Sequence, residues 1–257
     1  MTAPSPNILL VGSDNPTTWI IYNHLVREFG LFGALIEKPP SRRILLRNRL
    51  RKLGITTVIG QIAFQILVRP VLYRTGRKRI SNILKTSGME PAEPMTGAIR
   101  HVENINDATA IAAIQQANPT IVIVNGTRIL KPATLQSCAA TFINTHQGIT
   151  PRYRGAHGAY WALYENNPSQ CGVTIHVVDQ GIDTGNIIAR ASIAPTNEDS
   201  FVTYPYLQTA AALPVLVDAI RKGLAGQLAS KPISGSSAVW YHPGAFQYLK
   251  ARMRGVR

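Results

Sequence analysis

The sequence predicts an α/β domain: a mainly parallel sheet flanked by helices, carrying a basic amphipathic helical insertion. Three observations carry that expectation. Runs such as Thr120–Val124 (TIVIV) are β-branched and apolar throughout, as strands buried on both faces are. They alternate with stretches of helical length. The chain has 257 residues, of which 45% are hydrophobic, enough for one large core.

Taken in order, Ile8–Val11 (ILLV) reads as a buried strand running into a turn at Gly12. Asn15-Pro16-Thr17-Thr18 then looks like a helix start, with Thr17–Phe29 as the helix and Leu31–Ile36 as a second strand. Asp107–Asn118 reads as a helix, and Thr120–Val124 and Ala140–Ile143 as further strands. Beyond Asn144 the character changes. Gly172–Val178 and Asn186–Ile193 read as strands around a Gly-rich loop, and Phe201–Gly223 as a helix. Residues 1–227 are expected to form the catalytic domain and 228–257 a short C-terminal extension, with Ser234–Ser237 resembling a linker.

Charge is distributed unevenly. Lys and Arg number 27 against 13 Asp and Glu, giving +14. Residues 41–85 hold twelve of those cations and no acid. Inside this insertion, Ile55–Tyr73 is strongly apolar, and Gln61, Gln65 and Arg69 fall four apart, on one stripe of a helix. A transmembrane span fits by length, but it would separate the strands at Ile8 and Thr120, which should share a sheet. Two readings stay open: an amphipathic helix on an anionic membrane, or helices packed on the chain's own sheet or a partner subunit. Nucleic acid is the weaker alternative. Two cysteines, Cys138 and Cys171, are too few for a disulfide framework and form no zinc motif. The N-terminus lacks a basic n-region, so cytoplasmic residence is expected, extending to a peripheral place on the inner face of the membrane.

The chemistry lies in two stretches. In Phe142–Gly155 (FINTHQGITPRYRG) a strand end presents Asn144 and His146, two apart and therefore on one side. They would emerge at the C-terminal edge of the parallel sheet, where α/β folds place ligands. An amide N–H can stabilise an oxyanion and an imidazole can move protons. The following loop offers Arg152 and Arg154 for anion binding. In Gly172–Gly185 (GVTIHVVDQGIDTG) a strand carrying His176 leads into a loop with Asp179 and Asp183. His176, in mid-strand, reads as a structural residue, and Tyr160, Trp161 and Tyr164 as core.

Together these stretches resemble the formyltransferases that use 10-formyltetrahydrofolate. The shared pattern is a strand-borne Asn-x-His, a loop like P-x-Y-R-G, and a later D-x-x-x-D-x-G loop; here Asn144, His146, Pro151–Gly155 and Asp179–Gly185. Asn125–Leu130 (NGTRIL) resembles the family's folate-cleft segment. The resemblance implies a Rossmann-like fold, a catalytic set of Asn144, His146 and Asp183, and no metal. It also implies a pterin cradle from Arg128, Ile129 and Leu130 with Val178, Asp179, Gln180, Gly181 and Ile182. Arg152, Tyr153, Arg154 and His157 are the candidates for holding the acceptor.

The acceptor implied is a primary amine. A nucleotide-linked amino sugar leads by elimination. The first loop, Gly12-Ser13-Asp14-Asn15, lacks the Gly-rich phosphate cradle of the glycinamide ribonucleotide enzymes. The residues after Gln227 are too few for the added domain of the enzymes that modify tRNA. A methionyl-tRNA acceptor remains the alternative within the class. Outside it stands an inactive membrane- or nucleic-acid-binding module, against which the intact Asn144, His146 and Asp183 count.

Overall fold

The computed structural model describes residues 7–30, 32–95 and 97–257. The first residue of the strand predicted at Leu31–Ile36 lies outside them. Nine strands are described: β1 (Ile8–Ser13), β2 (Gly33–Glu37), β3 (Ala98–Val102), β4 (Ile121–Asn125), β5 (Thr141–His146), β6 (Arg154–Gly155), β7 (Gly172–Val177), β8 (Ile187–Ser192) and β9 (Val239–Trp240). Seven form one sheet in the order β3-β2-β1-β4-β5-β7-β8. The first five pair in parallel, whereas β7 and β8 are antiparallel. The sheet is therefore mainly parallel and Rossmann-like. Its strand order reverses between β1 and β4, and crevices form at such switch points.

Helices cover both faces: α1 (Pro16–Phe29), α5 (Ala108–Ala117), the single turn α6 (Pro132–Leu135), α7 (Gly158–Tyr164) and α8 (Tyr204–Leu224). Alternation along the strands divides the core. Ile8 and Leu10 of β1 pack with α1 and α8, while Leu9 and Val11 pack with α5 on the opposite face. Each such buried aliphatic contributes about 1.5–3 kcal/mol. Asn15 caps α1, its side-chain oxygen accepting from the Thr18 N–H at 3.0 Å, with Pro16 in the first turn.

The insertion consists of α2 (Arg42–Leu53), α3 (Ile55–Ala63), a π-helical turn at Phe64–Val68, and α4 (Arg69–Thr86). Nothing in α2 is buried. Two of the three stripe residues face inward: Gln61 Nε2 donates to the His242 carbonyl at 2.8 Å, and Gln65 Nε2 lies 3.3 Å from His242 Nδ1, while Arg69 is exposed. Phe64 is buried among Phe201 and Tyr248. The bidentate pair Arg79–Asp199 (2.8 and 3.1 Å) pins α4 to the loop before α8. The extension after residue 227 is knit into the same body. Its β9 pairs with β6, and its helix α9 (Ala245–Met253) packs beside α3.

Candidate active site

The ends of β4, β5 and β7 and their following loops enclose a cleft of about 820 Å³. Asn144 and His146 leave β5 on the same side and both reach Asp183. Asn144 Nδ2 donates to Asp183 Oδ1 at 3.2 Å, and His146 Nδ1 lies 3.3 Å from Asp183 Oδ2. The antiparallel register sets Asn144 directly opposite His176, whose Nε2 accepts from the Asn144 amide at 3.1 Å. The His176 Nδ1–H donates to the Val177 carbonyl at 2.8 Å, which leaves Nε2 facing the Asn144 amide. His176 thus belongs to the cluster rather than to the core alone.

Asp183 sits in left-handed backbone (φ 51°), a strain that Asp tolerates better than most residues. Gly155 holds it there, donating its N–H to Asp183 Oδ2 at 2.9 Å. Gly155 has φ 88°, and a Cβ at that position would run into the Trp240 carbonyl. Only glycine fits between Asp183 and the β9 ladder.

The electrostatics follow from burial and neighbours. Burial pushes the Asp183 carboxyl up, but His146, His176 and the Gly155 N–H outweigh it and hold it at about 2. Burial lowers the pKa of His146, with Asp183 opposing. His146 Nε2 faces the Tyr153 carbonyl at 2.7 Å, so that nitrogen carries the proton and Nδ1 faces the carboxylate. The site is therefore an ionised carboxylate beside a neutral imidazole whose protonated form that carboxylate would stabilise.

The predicted cradle residues Arg128, Ile129, Leu130, Val178, Asp179, Gly181 and Ile182 all line the cleft, while Gln180 is exposed and does not. Asp179 mainly closes its own turn, accepting from the Gly181 N–H at 3.0 Å and the Thr184 hydroxyl at 2.7 Å. The Arg128 N–H is taken by buried Glu37, so Glu37 fixes this wall from the end of β2. The cleft's apolar lining from Val124, Leu130, Val178 and Ile182 suits a flat aromatic heterocycle.

Among the expected acceptor ligands, only His157 lines the cleft. The Arg152 guanidinium forks onto Glu165 at 3.1 and 2.8 Å, outside it. Tyr153 is fully buried, its hydroxyl donating to Glu165 at 3.0 Å. Arg154 does not line the cleft, and its N–H pairs with Ala238. The cations that do line it, besides Arg128, are Arg49 and Arg69 from the insertion, which the motif reading passed over. His157 Nε2 sits 2.8 Å from His242 Nδ1, and burial holds both below the ordinary histidine value, His242 at about 4. Tyr160 and Trp161 are core, as expected.

A family model described as Formyl transferase matches residues 75–219, a span that contains Asn144, His146, His176 and Asp183. The chain belongs to the formyl transferase family. Among the curated relatives of this chain is a methionyl-tRNA formyltransferase from Thermodesulfovibrio yellowstonii. It is 31% identical over 135 residues, covering 52% of this chain and 43% of that protein. The chain thus spans about half the length of the curated relatives it matches. Two solved structures share the fold at 14% identity. One is a sugar N-formyltransferase from a Shewanella species (TM-score 0.57, covering 91% of this chain and 76% of that one). The other is an N-formyltransferase from Helicobacter canadensis in complex with folinic acid and dTDP-3-aminofucose (TM-score 0.53, 90% and 70%). The family match runs from residue 75 to 219, so Arg49, Arg69 and His242 of the cleft wall lie outside the matched span.

Proposed function

We propose that the chain transfers a formyl group from 10-formyltetrahydrofolate to a primary amine on a nucleotide-linked amino sugar. The observation that carries this reading is Asn144 and His146 meeting one ionised carboxylate, Asp183, at the wall of a cleft with an apolar slot. The donor supplies an activated formyl carbon, so the protein's work is positioning and charge stabilisation. Negative charge grows on the formyl oxygen as the amine attacks, and Asn144 is the amide donor placed to meet it. In the free site its two N–H bonds go to His176 and Asp183, so substrate exchanges one of them. His146 takes the amine proton at Nδ1, and Asp183 stabilises the imidazolium that forms. The tetrahedral adduct then collapses, the bond from the formyl carbon to N10 of the folate breaks, and the imidazolium gives its proton to that departing nitrogen, releasing tetrahydrofolate.

The acceptor reading rests on Arg49 and Arg69, which suit a diphosphate, and on the nucleotide sugar in the Helicobacter relative. A place in the cytoplasm beside membrane-bound polysaccharide assembly fits the basic insertion. The curated relatives' names favour methionyl-tRNA as the second reading. Release of tetrahydrofolate from 10-formyltetrahydrofolate, followed across nucleotide amino sugars, glycinamide ribonucleotide and charged initiator tRNA, separates them. The proposal expects release with an amino sugar alone. Release only with tRNA replaces the acceptor, and release with none overturns the reading.

A further inference from the structure

Fifteen of the seventeen large hydrophobic side chains exposed among the described residues fall in two short stretches, Ile44–Tyr73 and Tyr241–Met253. The insertion's amphipathicity is inverted. Gln61 and Gln65 turn inward to His242, while Ile55, Ile59, Ile66 and Leu67 are each 60–67% exposed. Helix α9 repeats the arrangement. Tyr248 and Ala251 are buried, and Phe246, Leu249 and Met253 form an outward stripe, with Phe246 80% and Met253 82% exposed. The two helical elements that carry these side chains adjoin, because Gly60 of α3 meets Gly244 backbone to backbone and Phe64 packs on Tyr248 with ring centroids 5.2 Å apart.

The geometry points to a bilayer-docking surface built jointly by α2–α4 and α9, whose occupant is an anionic lipid membrane. An apolar patch this large is uncommon on a soluble monomer, and its surroundings name the partner. Residues 41–85 carry twelve Lys and Arg without an acid, and residues 227–257 carry five more, also without one. Arg79 is paired with Asp199, and Arg49 and Arg69 line the cleft, but the rest of these cations lie on the same helices and tail as the apolar side chains. An exposed apolar face on such cation-rich elements is complementary to acyl chains beneath anionic headgroups. A second copy of the chain is a poor occupant, because a two-fold interface would set the same cations against each other.

The helical run Ile55–Thr86 is long and apolar enough to cross a bilayer by length and composition. Its side bonds keep it on the body instead: Gln61 and Gln65 to His242, Arg79 to Asp199, and Ile83 in the core of the sheet. Arg49, Arg69 and Tyr73 come from the same helices and line the reaction cleft. The docking element is thus one wall of the cleft, which sets its mouth near the lipid interface. This inference stands on exposure and charge, independently of the acceptor's identity.

Co-sedimentation of the full chain with phosphatidylcholine vesicles, with and without about 30% phosphatidylglycerol, tests it. The expected result is pelleting on the anionic vesicles, weakened by salt. Two paired variants, Ile66→Glu with Leu67→Glu and Phe246→Ser with Met253→Ser, should each lower partitioning about tenfold or more. Unchanged circular dichroism shows that they fold. Absence of anionic-vesicle binding overturns the proposal, as does a concentration-dependent dimer in its place. Full binding by the α9 pair overturns the joint surface.

Discussion

The Gly155 N–H donates to Asp183 Oδ2 at 2.9 Å, and this bond ties together the two loops that carry the site. Gly155 has φ 88°, with the Trp240 carbonyl where a side chain would stand. Replacing it with alanine should cost about 1–3 kcal/mol of stability from backbone strain. It should also displace Asp183, so formyl transfer should fall even where the variant is fully folded. Wild-type turnover in a folded Gly155→Ala protein would show that the bond is dispensable.

Asn144→Ala and Asp183→Ala should each reduce kcat by about 10²–10³, the usual cost of losing a donor or its support in an oxyanion site. His176→Ala should do less. It removes one neutral partner of the Asn144 amide, worth about 1 kcal/mol or roughly fivefold in kcat. His176 is a positioning residue, so His176→Gln, whose amide oxygen reaches the place of Nε2, should recover part of the loss. Single-turnover kinetics with saturating donor measures all of these.

The rate should be flat through neutral pH. It should fall on acidification below the ordinary histidine range, as His146, its pKa lowered by burial, takes a proton and can no longer accept one from the amine. Asp183 stays ionised until about pH 2 and adds no limb near neutrality. A rate that rises on acidification between pH 7 and 5 would contradict the assignment of His146 as base.

Stability should follow the same groups. His146, His157 and His242 all have lowered values in the fold, His242 at about 4. Below about pH 6.5 the unfolded chain binds more protons than the native one. Stability therefore drops as pH falls from 6.5 toward 4, and Asp183 adds a further loss as pH falls from its unfolded value toward 2. Thermal melts from pH 8 to 4.5 should show Tm level down to about 6.5 and falling below it, and a constant Tm would refute the linkage.

Arg79→Ala should destabilise the protein by about 3 kcal/mol, the low end for breaking a buried ion pair. The low end applies because Arg79 keeps 23% of its side chain in solvent while Asp199 keeps none. Asp199→Asn together with Arg79→Ala should recover much of the loss, since the uncompensated carboxylate is then gone. Denaturant unfolding separates the two variants from the wild type.

Arg69→Gln should raise KM for a phosphorylated acceptor roughly tenfold, the loss of one charge-assisted hydrogen bond, with kcat nearly unchanged. An unchanged KM would remove Arg69 from acceptor binding.

Much of this was legible along the chain. Period-two spacing alone puts Asn144 and His146 on one side of β5, and TIVIV could only be a buried strand. What escaped depends on neighbours that spacing does not reveal. His176 looked structural because its partner is fixed by the β5–β7 register, thirty-two residues away. Arg152 looked free for anions because Glu165, which neutralises it, sits beyond the next turn and on a helix end. β3 was missed because AIRHV, at the sheet edge, lacks the apolar continuity of the inner strands. The stripe of Gln61, Gln65 and Arg69 was visible as a helix face, but the inward direction of Gln61 and Gln65 depends on His242, supplied by the distant tail.

The pairing of β6 with β9 reaches beyond the sheet. Trp240 walls in Gly155, and His242 shares a short contact with His157 while anchoring Gln61. A truncation made where the family match stops, at residue 219, or at the end of α8, would keep every residue proposed for the chemistry. It would still release the loop that Asp183 leans on. For this chain the unit that holds the site extends past the end of the family match, and a cut at that border would pass through the site's support.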